Sequence, residues 1–151
     1  MTIRAYAAKN AIANLESYEY EPEPLGPFDV EIRVTHCGIC HSDIHLIDND
    51  WGITSYPLVP GHEIIGTVSD RGGAVSHLDE GMRVGVGWQR SACFQCDQCL
   101  RGCEHLCPQI QDTCVGYPGG FAEAIRIDSR FVFPIPDEFD SAAAAPLLCG
   151  G

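Results

Sequence analysis

Cys93, Cys96, Cys99 and Cys107 form a C-x2-C-x2-C-x7-C run, which restricts the possible folds more than any other stretch of the chain. Thiolates packed this closely can converge on one ion, and tetrahedral zinc takes four such ligands at about 2.3 Å. The run itself, residues 93–107, is too polar and too short to own a core, and the lobe around it spans about 88–116. Metal must hold it. A structural zinc supplies on the order of 10 to 16 kcal/mol of apparent binding free energy, ample for a lobe of this length. Iron in a rubredoxin-like site is the chemical competitor, because S4 tetrahedral geometry suits both metals. Cys103 and His105 could each replace one of the four, although regular spacing favours the named set.

The chain has nine cysteines, an odd number, so full pairing into disulfides is not expected. Its N-terminus, MTIRAYAAKNAIANLES, lacks the apolar stretch of an export signal. No segment approaches the ~18 to 20 apolar residues of a membrane span. A cytoplasmic location with reduced thiols is therefore expected, and there clustered cysteines bind metal more often than each other. Twenty-one acidic residues against nine basic ones give a net charge of -12. A nucleic-acid partner needs a cationic stripe that displaces counterions, and none is present. Neither nucleic acid nor membrane is expected as a partner.

At 151 residues the chain can build one ordinary domain with a real core. Phe28 to Thr35 alternates Val30, Ile32 and Val34 with Asp29, Glu31 and Arg33, the period of a half-buried strand. Residues 63–69, 82–86, 121–127 and 131–135 give further short strands. Between them lie turn signals, namely EPLGP at 23–27, SDRGGAVSH at 69–77 and YPGG at 117–120. Local helix is expected only at about 40–47 and from Ser141 onward. Short strands with frequent turns predict a mainly β fold, a barrel or sandwich.

A second, scattered group can also hold metal. THCGICHSDIH at 35–45 carries Cys40, with His41, Ser42, Asp43 and His45 just after it. VPGHEIIG carries His62 and Glu63 at a strand start, and Cys149 lies at the far end. Two thiols and an imidazole have the makeup of a zinc site with one open position. Spacing alone does not decide whether Cys40 and His62 share an ion, since a buried cysteine is usually a small hydrophobe.

GICHSDIH, YPLVPGHEIIGTV, the four-cysteine run, GGFAEAIRID and AAAAPLLCGG occur here in the order found in zinc-dependent medium-chain alcohol dehydrogenases, which the chain resembles from about residue 2 onward. NDWGITSYPLVPGHEIIG is most similar to the cinnamyl-alcohol-dehydrogenase branch. The resemblance implies a GroES-like catalytic domain over 1–151, a partly open β-barrel with a four-cysteine zinc lobe. It implies two zinc sites: a structural one at Cys93, Cys96, Cys99 and Cys107, and a catalytic one at Cys40, His62 and Cys149. Glu63 matches a carboxylate that approaches the catalytic metal when the open position changes occupant. Asp43 matches a carboxylate that orients the His62 ring. Ser42 and His45 match a proton relay through the cofactor ribose, and His41 a position facing the cofactor pyrophosphate. Trp51 and Trp88 match positions lining the substrate pocket. The implied reaction is hydride exchange between NAD(P) and a small alcohol or aldehyde, the zinc polarising the oxygen. The branch leans to NADP, and family members are homo-oligomers.

No G-x-G-x-x-G is present, whereas the family's chains continue into a Rossmann domain that binds the cofactor. This polypeptide is therefore expected to turn over little alone, because hydride transfer needs a cofactor held at near-attack distance. Cys149, third from the end, is expected to sit on a poorly anchored arm. The reading from a different class is a non-enzymatic zinc-stabilised scaffold or partner module, in which Ser42, His45 and Cys149 are dispensable. Cys37, Cys103 and Cys114 receive no role.

Overall fold

Alternating apolar side chains build the central sheet. In the computed structural model, which describes residues 1–150, β1 (Ile3–Ala7) and β2 (Glu16–Tyr20) pair antiparallel, with Ile3 opposite Tyr20. Then come β3 (Asp29–Cys37), α1 (His41–Asp48), β4 (Ile64–Arg71) and β5 (Arg83–Val86). A small hairpin of β6 (Gln89–Ser91) and β7 (Gln111–Asp112) flanks α2 (Asp97–Leu100). The chain ends in β8 (Ala124–Asp128), β9 (Val132–Pro134), α3 (Ser141–Ala144) and α4 (Leu147–Gly150). No helix among the described residues is long and apolar enough to cross a membrane.

Five strands form one antiparallel sheet in the order β8-β3-β4-β5-β9. Val30, Ile32, Ile64, Val68, Val84, Val86, Ile125 and Ile127 are buried from its strands into one cluster. Each such side chain contributes roughly 1.5–3 kcal/mol when fully buried. Register shifts where β4 carries the extra residue Ser69, opposite Glu31/Ile32, and where β3 carries the extra Thr35 bend these two strands, as bulges do. The first hairpin joins the sheet through the Ala5–Ala122 bridge, extended by bonds from Glu123 N–H to the Arg4 carbonyl and from Tyr6 N–H to the Phe121 carbonyl. The architecture is the mainly β, partly open barrel expected from the sequence, with no Rossmann unit among the described residues.

Most predicted elements fall where the alternation put them, shifted by a residue or two. The chief shortening is the predicted strand at 121–127, which becomes β8 at 124–128. Residues 121–123 instead bond across to β1. The helix expected from Ser141 is broken into α3 and α4, with Pro146 between them. Asp140 caps α3, its Oδ1 accepting the backbone N–H groups of Ala142 and Ala143. The β1–β2 and β6–β7 hairpins had not been anticipated.

Candidate metal centre

Cys40 sits in extended backbone immediately before α1 (φ -116°, ψ 159°). Its N–H donates to Asp43 Oδ2 at 2.9 Å, half of a helix-start capping arrangement. The other oxygen of the same carboxylate, Oδ1, accepts the Gly61 N–H at 2.9 Å and faces His62 Nδ1 at 3.2 Å. Asp43 is 2% exposed and His62 is fully buried. One buried carboxylate thus ties the start of α1 to the turn preceding β4. Gly61 in that turn has φ +101°, a conformation side chains resist, and a Cβ there would lie 2.8 Å from Cys37 Sγ.

One donor atom each from Cys40, His62, Glu63 and Cys149 lies within 4.8 Å of the others. The Cys40 and Cys149 sulfurs are 3.9 Å apart. His62 Nε2 is buried and has no hydrogen-bond partner. With the Nδ1 proton turned to Asp43, Nε2 of the neutral ring presents a lone pair. An unpaired buried polar atom costs about 1–3 kcal/mol, and a metal ion would satisfy it. Two thiols, a lone-pair nitrogen and a carboxylate are donors that suit zinc. The backbone N–H of Ser42, then its hydroxyl, lowers the Cys40 thiol below its usual range. Burial, then the neighbouring Cys40, pushes Cys149 up to about 11. Burial opposes charge on His62, but Asp43 and Cys40 outweigh it and raise that pKa. Cys40 is therefore the thiol of this pair that ionises first.

Cys149 reaches the cluster from α4. The adjacent Leu148 packs with Ile65, Ala144, Ala145 and Ile135, so the helix has its own apolar hold. That hold presses on β5, because a Cβ at Gly85 would meet Leu148 Cδ1 at 2.9 Å.

Ser42 Oγ lies 3.6 Å from Cys40 Sγ. On the next turn of α1, His45 Nδ1 meets Asp50 Oδ2 at 2.7 Å. The His45 ring lies 4.7 Å from that of His41 and 5.1 Å from Trp51. Trp51 meets Trp88 edge-on at 6.0 Å, and Trp88 meets His62 edge-on at 5.0 Å. The two tryptophans and the three histidines therefore line up from the buried imidazole toward solvent. Trp88 is half-buried beside Leu46 and Leu58, whereas Trp51 is 45% exposed. Two contributors were not anticipated. Asp50 follows the left-handed Asn49 that ends α1, and no helical spacing relates it to His45. Cys114, buried, donates its thiol to the Gly61 carbonyl at 3.0 Å beside Asp43 and His62.

In the lobe, the sulfurs of Cys93, Cys96, Cys99 and Cys107 lie within 4.8 Å of one another. Cys107 Sγ accepts the backbone N–H groups of Cys93 and Gln109 at 3.4 and 3.3 Å. Cys103 stands apart, with its thiol 4.0 Å from the Arg101 carbonyl. The lobe is fastened to the barrel by Arg130, whose guanidinium lies 3.4 Å from the Phe94 ring centroid and 4.8 Å from that of Phe28. Asp128 holds the same guanidinium at 2.6 and 2.8 Å. Backbone donation from Gln95 lowers Cys93 to about 6, while burial pushes Cys99 up to about 12.

Residues 26–137 match the family described as the Alcohol dehydrogenase GroES-like domain. Aldehyde reductase AdhA of Synechocystis is 47% identical over 149 residues, which cover 99% of this chain and 44% of that protein. The Helicobacter pylori CAD complexed with NADP(H) superposes with a TM-score of 0.93 at 30% identity, over 99% of this chain and 46% of that one. A thermostable alcohol dehydrogenase from Pyrobaculum aerophilum with cobalt and zinc bound gives 0.85 at 28% identity, over 99% and 46%. The chain therefore spans less than half the length of these relatives. The barrel, the turn that presents His62 and the match across most of the sequence lead to one assignment: the chain belongs to the alcohol dehydrogenase GroES-like family.

Proposed function

We propose that residues 1–151 are the metal-bearing catalytic domain of an NAD(P)-dependent alcohol dehydrogenase or aldehyde reductase. The observation that carries this reading is the convergence of Cys40, His62, Cys149 and Glu63 around the unpartnered Nε2 of His62. A zinc held by these residues would supply Lewis acidity, lowering the pKa of an alcohol and polarising a carbonyl. Cys93, Cys96, Cys99 and Cys107 would hold a second, structural zinc.

The chain's own groups then divide the work. Asp43 fixes the His62 tautomer and anchors the backbone of Cys40. Trp51 and Trp88 form an apolar wall that suits flat aldehydes and excludes water. Ser42 receives the proton released from an alcohol and passes it toward His45. Asp50 occupies His45 Nδ1, which leaves Nε2 as the atom that exchanges the proton with solvent. His41, exposed on the first turn of α1, faces the cofactor phosphates. NADP is the favoured cofactor, in line with the NADP(H) complex of the Helicobacter protein. The nicotinamide itself is held by a cofactor domain that these residues do not form, so the chain alone reduces aldehydes slowly if at all.

The test is a graft. Substituted for the matching segment of the Synechocystis aldehyde reductase, the chain should support NADPH-dependent aldehyde reduction. Cys40→Ser or His62→Ala in that graft should lower kcat/KM by about a hundredfold or more. Metal analysis should show loss from this site with the lobe's metal retained. An active graft indifferent to both substitutions would sink the proposal and favour a scaffold role.

A further inference from the structure

Glu63 is a buried carboxylate, 5% exposed, in a cluster whose other members are thiols and an imidazole. Its position depends on a residue with no functional group. Gly38 lies just beyond the end of β3, and its N–H donates to the Glu63 carbonyl at 2.8 Å, continuing the β3–β4 ladder by one step. Residues facing each other across such a ladder normally keep their Cβ atoms about 4.5–5.5 Å apart. A Cβ at Gly38 would instead fall 3.0 Å from Glu63 Cβ, 3.1 Å from Cδ and only 2.0 Å from Oε2. The carboxylate therefore lies folded over the bare Cα of residue 38. Gly38 has no positive φ, so its backbone accepts alanine without strain. What alanine would disturb is the volume that the carboxylate now fills. Glu63 is 5% exposed, so its carboxylate would have to move within buried surroundings to make room.

We propose that Gly38 is a positioning residue for Glu63: the missing side chain is what lets the carboxylate lie within donor distance of Cys40, His62 and Cys149. This rests on the metal-binding reading of that cluster. A methyl group at position 38 displaces the carboxylate, and the metal loses an oxygen donor while both thiols and the imidazole stay in place. Gly38 thereby sets whether the fourth position is filled from within the protein or by solvent.

Cobalt titration of the 151-residue chain tests this, reading the thiolate-to-cobalt absorption that Cys40→Ser removes. Gly38→Ala is expected to shift that absorption and weaken cobalt affinity about tenfold, a size typical of lost support around a metal. Glu63→Ala should do the same, and the double variant should be no weaker than Glu63→Ala alone. Circular dichroism and thermal unfolding establish that each variant remains folded. An unchanged affinity in Gly38→Ala, or equal losses that add in the double variant, overturns the inference while leaving the metal site intact. If the unsubstituted chain shows no absorption that depends on Cys40, the metal-binding reading itself fails, and this inference with it.

Discussion

Stripping metal from the four-cysteine lobe is expected to erase amide protection across residues 93–107 while the five-stranded sheet stays folded. The reason is the scarcity of other forces within the lobe. Its only regular structure is one short helical turn, one 3-10 turn and a hairpin of three residues against two. Apart from Cys99 and Cys107, no lobe residue between 93 and 107 is buried. A metal bound by the four cysteines, worth on the order of 10 to 16 kcal/mol, would take the place of a core. The sheet keeps its own cluster around Ile32 and Ile64 and does not need that contribution. Hydrogen exchange with mass-spectrometric readout after chelation separates the two regions. Global unfolding in one step, or an unperturbed lobe, would contradict this division.

The second large effect is at Asp43. Alanine there is expected to cost at least about 3 kcal/mol, because three N–H donors lose one acceptor group in a buried place, each worth about 1–3 kcal/mol. The donors are the backbone N–H groups of Cys40 and Gly61 and the His62 ring. Metal affinity at the Cys40–His62–Cys149 cluster should fall by about 10- to 100-fold, since the imidazole loses its orientation. Asparagine should be intermediate. Its single carbonyl oxygen can serve Cys40 or the Gly61–His62 pair, but not both. Urea unfolding gives the first quantity and metal competition the second. A wild-type stability in Asp43→Ala would refute the accounting.

The sheet was legible because the sequence alternates plainly. Val30 and Ile32 are buried and Arg33 is exposed, as the alternation predicts, whereas Glu31 is buried too, where it pairs with Arg126. The four lobe cysteines were legible because all their contacts are local. The second cluster was not readable from spacing, because Cys40, His62 and Cys149 meet only through tertiary packing, and family resemblance had to supply the grouping. Asp50 and Cys114 stayed hidden for the same reason. Each acts on one neighbour, His45 or Gly61, across a turn or between two loops distant in sequence, which leaves no periodic trace. Gly38 is invisible in another sense: its contribution is an absent atom.

The open edge of the sheet has a consequence for handling the protein at high concentration. β9 is only three residues long and ends in Pro134, which has no N–H to offer a visiting strand. The opposite edge strand, β8, is followed by 3-10 turn residues 129–131 and preceded by a stretch already engaged with β1. Together with mutual repulsion from a net charge of -12, this leaves little template for edge-to-edge self-assembly, and the folded chain should resist polymerising through its sheet.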